Sequence, residues 1–251
     1  MRTLIINADD LGITPAVSKG IIKSINHGVV SRTSAMMCSE NSILIKAYLK
    51  DLKGKIGLHL QLTDGTPKLA ASLIPSLVAA NGKFPKKSNQ LGRIIETEIE
   101  MEWEAQMKAF LELGISPSHL DTHHNVHRFP KAFKAICSLA QKYNLPVRPL
   151  SKIMSRKLES LGVLQSSVCI ESWPDKEVTT DSLVSYLVNF FKSHDQSDLP
   201  VELMCHPGYV DQDLVNRSSY LEKRELELEV FLDPNLPELL KINNINLWNY
   251  I

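Results

Sequence analysis

The chain has only four cysteines in 251 residues, and no two stand in a Cys-x-x-Cys pair. Cys38, Cys137, Cys169 and Cys205 are widely scattered, which argues against a disulfide frame or a Cys-based structural zinc site and for reduced thiols in a core. Neither charge is in excess, because 28 basic and 28 acidic residues cancel. A protein that grips phosphate backbones needs a basic surface, and no basic run stands out here, so nucleic acid is not an expected partner. No apolar run approaches the roughly 18 residues of a membrane span. The apolar stretch after Met1 meets Asp9 and Asp10 too soon for the core of a signal peptide, so the expected setting is the cytoplasm, with no membrane partner. Internal repeats and low-complexity linkers are lacking too. The length suits one large α/β barrel, and a single domain over residues 1–251 is the expectation.

What the chain does have is histidine in one place. The segment His119-Leu-Asp-Thr-His-His-Asn-Val-His127 holds four of its eight histidines. Imidazole and carboxylate are the usual ligands of a borderline divalent metal and the usual proton carriers near neutral pH. A lone histidine is more often a surface or hydrogen-bonded core residue, but four in nine positions beside Asp121 point to a metal or acid–base site. Not all of them can be ligands. A ligating histidine normally has its other ring nitrogen held by a carboxylate or carbonyl, and Asp121, His124 and His119 are candidates for that supporting role. Two geometries are open. On an extended strand end Asp121, His123 and Asn125 share a side, whereas in a helix His123 and His127 form an i,i+4 pair that would replace His59 as a ligand.

Taken in order, Thr3–Asn7 reads as a short buried strand that breaks at Ala8-Asp-Asp-Leu-Gly12, before Thr14-Pro15 opens a helix to about Gly28. Asp9 and Asp10 therefore fall at a strand's C-terminal end, the edge where parallel-strand folds bind ligands. A strand over Ser34–Cys38, a helix over Ser42–Leu52 and a strand over Lys55–Leu60 follow, the last placing His59 on the same edge. Residues 61–92, with Gly65, Pro67, Pro75, Gly82 and Pro85, read as a long active-site loop. Helices are expected over Glu96–Leu113 and Pro130–Tyr143, with the strand Pro117–Asp121 between them. Leu145–Pro149 reads as a short strand, with Arg148 at its exit either orienting a carboxylate or solvated. A strand ending near Trp173-Pro174 precedes a helix over Thr180–Ser193, and Trp173 is either a sugar platform or a core residue. The apolar strand from Leu199 ends at His206, where Pro207-Gly208 forces a turn. Arg217–Asp233 reads as a solvated outer helix and Ile242–Trp248 as a closing strand.

With Asn7-Ala-Asp-Asp-Leu-Gly12, Gly57-Leu-His-Leu60, the histidine segment and Met204-Cys-His-Pro-Gly-Tyr209 in that order, the chain resembles the YdjC/ChbG family of carbohydrate deacetylases over residues 3 to about 230. The resemblance implies an α/β fold, an irregular (β/α) TIM-like barrel. It further implies a divalent metal on Asp10, His59 and His123, Asp9 as base, and removal of N-acetyl groups from amino sugars such as chitin disaccharides. The family suggests Mg2+, while one carboxylate and two imidazoles also suit Zn2+ or another transition metal. A Lewis-acid metal addresses the poor electrophilicity of an amide. His206 is the candidate to protonate the departing amine. Leu11 stands where an aromatic is usual and Asn125 where a third consecutive histidine is common, and both departures bear on substrate more than on fold. The expected partner is a small carbohydrate, with self-association as a homodimer left open. Two rival readings use the same inventory. One is a two-metal barrel hydrolase of phosphoesters or cyclic amides, recruiting His127 and Asp121. The other is a metal-stabilised sugar-binding module with Trp173 and Tyr209 as platforms.

Overall fold

Leu4, Ile5 and Ile6 are buried on both faces of the chain, because β1 (Arg2–Leu11) runs through the middle of a parallel sheet with neighbours on both edges. The computed structural model describes every residue except 1, 53, 167, 172, 174–176, 194–199 and 249–251. After β1 come α1 (Pro15–His27), β2 (Arg32–Ala35), α2 (Ile45–Tyr48), β3 (Ile56–Leu60), α3 (Glu96–Leu111), β4 (Leu120–Thr122) and α4 (Pro130–Tyr143). The second half adds α5 (Lys152–Ser160), β5 (Val168–Ile170), α6 (Thr180–Ser193), β6 (Val201–Cys205), α7 (Gln212–Arg217), α8 (Glu222–Phe231), α9 (Leu236–Ile242) and β7 (Ile245–Leu247). The sheet order is β4-β3-β2-β1-β6-β5, with β7 paired to the start of β1 at Arg2–Leu4, and every pairing is parallel. Single bridges from Leu120 to Val147 and from Val147 to Gln165 carry the curled sheet on from β4 toward β5. The result is an irregular (β/α) barrel-like fold wrapped by helices, and among the described residues no helix is long and apolar enough to cross a membrane.

Several elements differ from the sequence expectation, each for a local reason. β1 continues through the acids to Leu11 instead of breaking at Ala8, with a register irregularity between Ala8 and Leu11 and Asp10 at φ 72°. The expected helix over Ser42–Leu52 contracts to a 3-10 turn and the four-residue α2, since few of its residues bury. Leu145–Pro149 contributes only Val147 to the sheet, Pro146 and Pro149 lacking the N–H groups a ladder needs. The solvated outer helix expected over Arg217–Asp233 is the shorter α8, which buries Arg224 and Glu227, and α7 precedes it. The closing strand begins at Ile245 because α9 occupies Leu236–Ile242. Leu199 and Pro174 lie outside the described residues. All four cysteines are free, three of them buried.

The inner face of the sheet is polar, which is what positions the site. Asn7 pairs in register with Arg32, Ser34 with Gly57, and His59 with Asp121, so alternate residues of adjacent strands meet on one side. Ser34 Oγ accepts from Asn7 Nδ2 at 2.9 Å and donates to Asp121 Oδ2 at 2.6 Å, while His119 Nε2 lies 3.1 Å from the same oxygen. Gly57 makes room for that imidazole. A Cβ built there would stand 2.3 Å from His119 Cε1, so Gly57→Ala must displace the ring and the bonds it makes. An overpacked core costs about 1–3 kcal/mol. Urea unfolding should report a loss of that size, and an unchanged midpoint would show that the ring is not confined there.

Candidate active site

Three side chains delivered by three strands converge at the C-terminal edge of the sheet. One ligand atom each from Asp10, His59 and His123 lie within 4.8 Å of one another, and all three residues are buried. Asp10 Oδ1 is 3.0 Å from His123 Nδ1 and 3.5 Å from His59 Nε2. Despite that proximity Oδ1 accepts no hydrogen bond, because the ring nitrogens are near it without being aligned to it. A buried carboxylate oxygen left unsatisfied is costly. Its lone pairs and two imidazole nitrogens facing a common point make the donor set of a divalent cation. The backbone contributes strain, since Asp10 sits at φ 72° and His124 and Asn125 at φ 54° and 52°. β4 ends at Thr122 and His123–Arg128 form a kinked 3-10 segment. His123 therefore reaches the site from a strand end, and the helical pairing with His127 does not form.

Around the trio lies a second tier of groups. His59 Nδ1 donates to Asp121 Oδ1 at 2.7 Å, which leaves Nε2 directed toward Asp10. Burial alone would push the His59 imidazole down, but Asp121, Asp9 and Asp10 override it and lift its pKa to about 10. The pocket thus stabilises positive charge at this position. Burial would raise the Asp10 carboxyl, yet Arg224 and His123 hold it well below the ordinary carboxylate range. Arg148 is completely buried and braces three carboxylates at once. It donates to Asp9 through both terminal nitrogens, at 2.8 and 2.7 Å, to Asp121 Oδ2 at 2.7 Å and to Glu202 Oε1 at 2.7 Å. Of the two roles left open for Arg148, orienting a carboxylate is the one the structure gives it. Asp9 Oδ1 also accepts from Asn7 Nδ2 at 2.6 Å. Three of the roughly four acceptor positions of Asp9 are thereby filled, with one left on Oδ2. The neighbouring acids, Asp9 and Asp10, live in unlike surroundings.

The YdjC-like protein family matches residues 3–242. This chain belongs to that family. The YdjC-like chain is 32% identical to a carbohydrate deacetylase of Clostridium beijerinckii, over 98% of each sequence. It is 35% identical to a carbohydrate deacetylase of Vibrio parahaemolyticus, over 98% of this chain and 94% of that one. Its fold is similar to the crystal structure of an Enterococcus faecalis protein proposed to cleave cellobiose phosphate, with 33% identity and a TM-score of 0.88 over 99% of this chain and 97% of that one.

In this YdjC-like chain the trio opens into a cavity of about 670 Å³, within the range of small-molecule sites. Asp9, His206, Tyr220 and Arg224 line it, as do Lys86–Asn89 from the long loop. Side chains of α3 hold that loop, Glu102 accepting from Lys68 N and Leu69 N and Glu98 from Ser76 N. His206 reaches the cavity with its backbone N–H donated to Glu227 Oε2 at 2.5 Å and its ring against Tyr220, centroids 5.4 Å apart. His127 is occupied elsewhere. Its Nδ1 meets Thr122 Oγ1 at 2.6 Å and its Nε2 donates to the Arg148 carbonyl at 3.1 Å. Asp121 has both oxygens engaged, by His59, Ser34 and Arg148, while Asp9, His59 and Asp121 also bring one ligand atom each within 4.8 Å of one another. Trp173 does not line the cavity. It packs against Phe231 at 5.9 Å in the core, so of its two readings the core residue is the one the structure gives. Tyr209 stands instead beside Lys23.

Sequence reasoning missed Arg224, Glu227, Glu202 and Arg32. Arg32 donates to Glu202 Oε2 at 2.5 Å and to Asn7 Oδ1 at 3.0 Å. The signal for Glu202 was present as a charged residue in the middle of the apolar run Val201–Cys205. For Arg224 there was none, since its helix is charged all along.

Arg148→Met strands three buried carboxylates. Breaking a buried pair from one side costs about 3–5 kcal/mol, and chemical denaturation should show a loss of that order. Arg148→Lys should rescue little, because an ammonium cannot span the same fork. His127 gives a pH test. Burial first of all depresses its pKa from 6.5 to about 3. The unfolded chain takes up the proton below about pH 6.5 and the folded chain resists it to about 3, so this group's contribution is complete above 6.5 and erodes as the pH falls. His127→Gln should flatten the stability profile between those values. Parallel profiles for the two proteins would refute the buried neutral imidazole.

Proposed function

We propose that the protein is a metal-dependent carbohydrate N-deacetylase that hydrolyses the acetamido group of an amino sugar or short chitooligosaccharide and releases acetate. The observation that carries this reading is the contrast between adjacent acids, Asp9 braced by Arg148 and Asn7, and Asp10 with one oxygen unsatisfied before two imidazoles. Relatives named carbohydrate deacetylases along the whole chain support it. Asp10, His59 and His123 would hold the cation, and this donor set suits Zn2+ or Co2+ at least as well as the Mg2+ expected from the family resemblance. When bound, such a cation supplies Lewis acidity toward the amide carbonyl and the attacking water.

The chain's own residues supply the rest. Asp121 holds the His59 ring so that only Nε2 faces the site. Asp9, its plane fixed by the Arg148 fork, accepts at Oδ2 the proton that water loses as its oxygen bonds to the amide carbon. His206, from the end of β6, donates a proton to the amide nitrogen as the C–N bond breaks. Acetate and the free amine leave. The loop segment Lys86–Asn89 and Tyr220 border the cavity where the sugar would lie.

Acetate release from a panel of N-acetylated sugars, after chelation and metal add-back, tests the reaction. Asp9→Asn should keep its metal and lose about 10²–10⁴-fold in kcat, the usual cost of a missing general base. Asp10→Asn should bind metal more weakly and recover part of its activity at high metal concentration. Wild-type acetate release from Asp9→Asn, or full metal occupancy in Asp10→Asn, would sink these assignments.

A further inference from the structure

The first turns of α8 hold both sides of the site from one helix face. Arg224 Nη2 donates to Asp10 Oδ2 at 2.7 Å, with both side chains almost fully buried. The other two guanidinium nitrogens go to backbone oxygens, Nε to Tyr220 at 3.0 Å and Nη1 to His206 at 3.5 Å. Three residues on, Glu227 accepts from His206 N through one oxygen and from the Tyr220 hydroxyl through the other. Gly208 N donates to the Arg224 carbonyl at 3.1 Å and Val210 N to Glu225 Oε1 at 3.3 Å. Pro207 has no N–H, so every alternate backbone donor of the segment leaving β6, at 206, 208 and 210, ends on α8. The segment that carries His206 is shaped by this helix.

We infer that Arg224 is a positioning residue that makes Asp10 a one-oxygen ligand, occupying Oδ2 so that Oδ1 alone faces the cation site, and that it ties this ligand to the strand end bearing His206. The inference rests on the metal-dependent reading above and extends it to a residue of α8. Asp10 needs such a tether. Its left-handed backbone is strained for a residue with a side chain, and a carboxylate with both oxygens free would be able to turn or to chelate. Simple electrostatics argues the other way, since a guanidinium beside a cation site repels the cation. The sign of the change on removing Arg224 therefore separates positioning from charge.

The test is calorimetric titration of metal-stripped protein with Co2+, together with the visible spectrum of the Co2+ form. If Arg224 positions Asp10, Arg224→Met should bind Co2+ about 10- to 100-fold more weakly, the usual effect of losing a group that holds a ligand. Its spectrum should shift as Asp10 gains freedom to bind through both oxygens. Arg224→Lys, which keeps the charge and gives up the fork, should lose affinity in the same direction by less, and it carries the test if the Met variant does not fold. Equal or tighter Co2+ binding with an unchanged spectrum in the folded variant would overturn the inference. Failure of the wild type itself to bind a divalent metal would instead remove the metal-dependent reading on which it stands.

Discussion

The whole inner face of this barrel depends on one buried guanidinium. Arg148 cannot be neutralised at any accessible pH and cannot be left unpaired in a core. Asp9, Asp121 and Glu202, from β1, β4 and β6, answer it. Each of those acids is in turn held by a partner of its own, Asn7, Ser34 or Arg32. Such a network has few acceptable arrangements, because moving one member strands another charge in a low-dielectric interior. It therefore fixes the strands relative to one another at the level of side-chain atoms, where a layer of leucines would tolerate sliding. The stiffness is transmitted outward, with Asp121 aligning His59 and the Arg148 carbonyl engaging His127.

Above this braced layer the site concentrates what is energetically unfavourable. Asp10 lies in the left-handed region and ends in an oxygen with no hydrogen bond. His124 and Asn125 share its unusual backbone, and His123 and His124 stack with ring centroids 3.9 Å apart. In the site, five buried carboxylates, Asp9, Asp10, Asp121, Glu202 and Glu227, face three buried guanidiniums, Arg32, Arg148 and Arg224, and the His59 imidazole drawn toward its cationic form, so negative charge still exceeds positive. A shortfall of positive charge next to converging lone pairs is what a divalent cation relieves. The strain persists because the surrounding network over-determines the geometry.

Much of the site was legible in the sequence for a simple reason. A strand's end is readable wherever an apolar run meets a polar residue, and parallel strands bring their ends to one edge. Asp9, Asp10, His59 and His206 were found that way and His123 by the crowding of histidines around it, and all line one cavity. Roles that depend on a partner were harder. His127 lies as close in sequence to His123 as a helical ligand pair requires, and only the kink at His124 and Asn125 takes it to Thr122 instead. Trp173 has the composition of a sugar platform and the position of a core residue.

What the sequence by itself determined is the order of the main strands and helices, the family, and the set of groups at the sheet's edge, because those follow from periodicity and from motifs that are local. What only the tertiary structure decided is which charges are buried together. Arg148 meets Asp9 across 139 residues and Arg224 meets Asp10 across 214. In a sequence Arg224 reads as solvated and Arg148 as either solvated or a partner for some carboxylate, since desolvating a charge alone is prohibitive. Burial becomes affordable when the fold places the opposite charge within hydrogen-bond distance, and that distance belongs to the curled sheet and to α8, not to any stretch of chain.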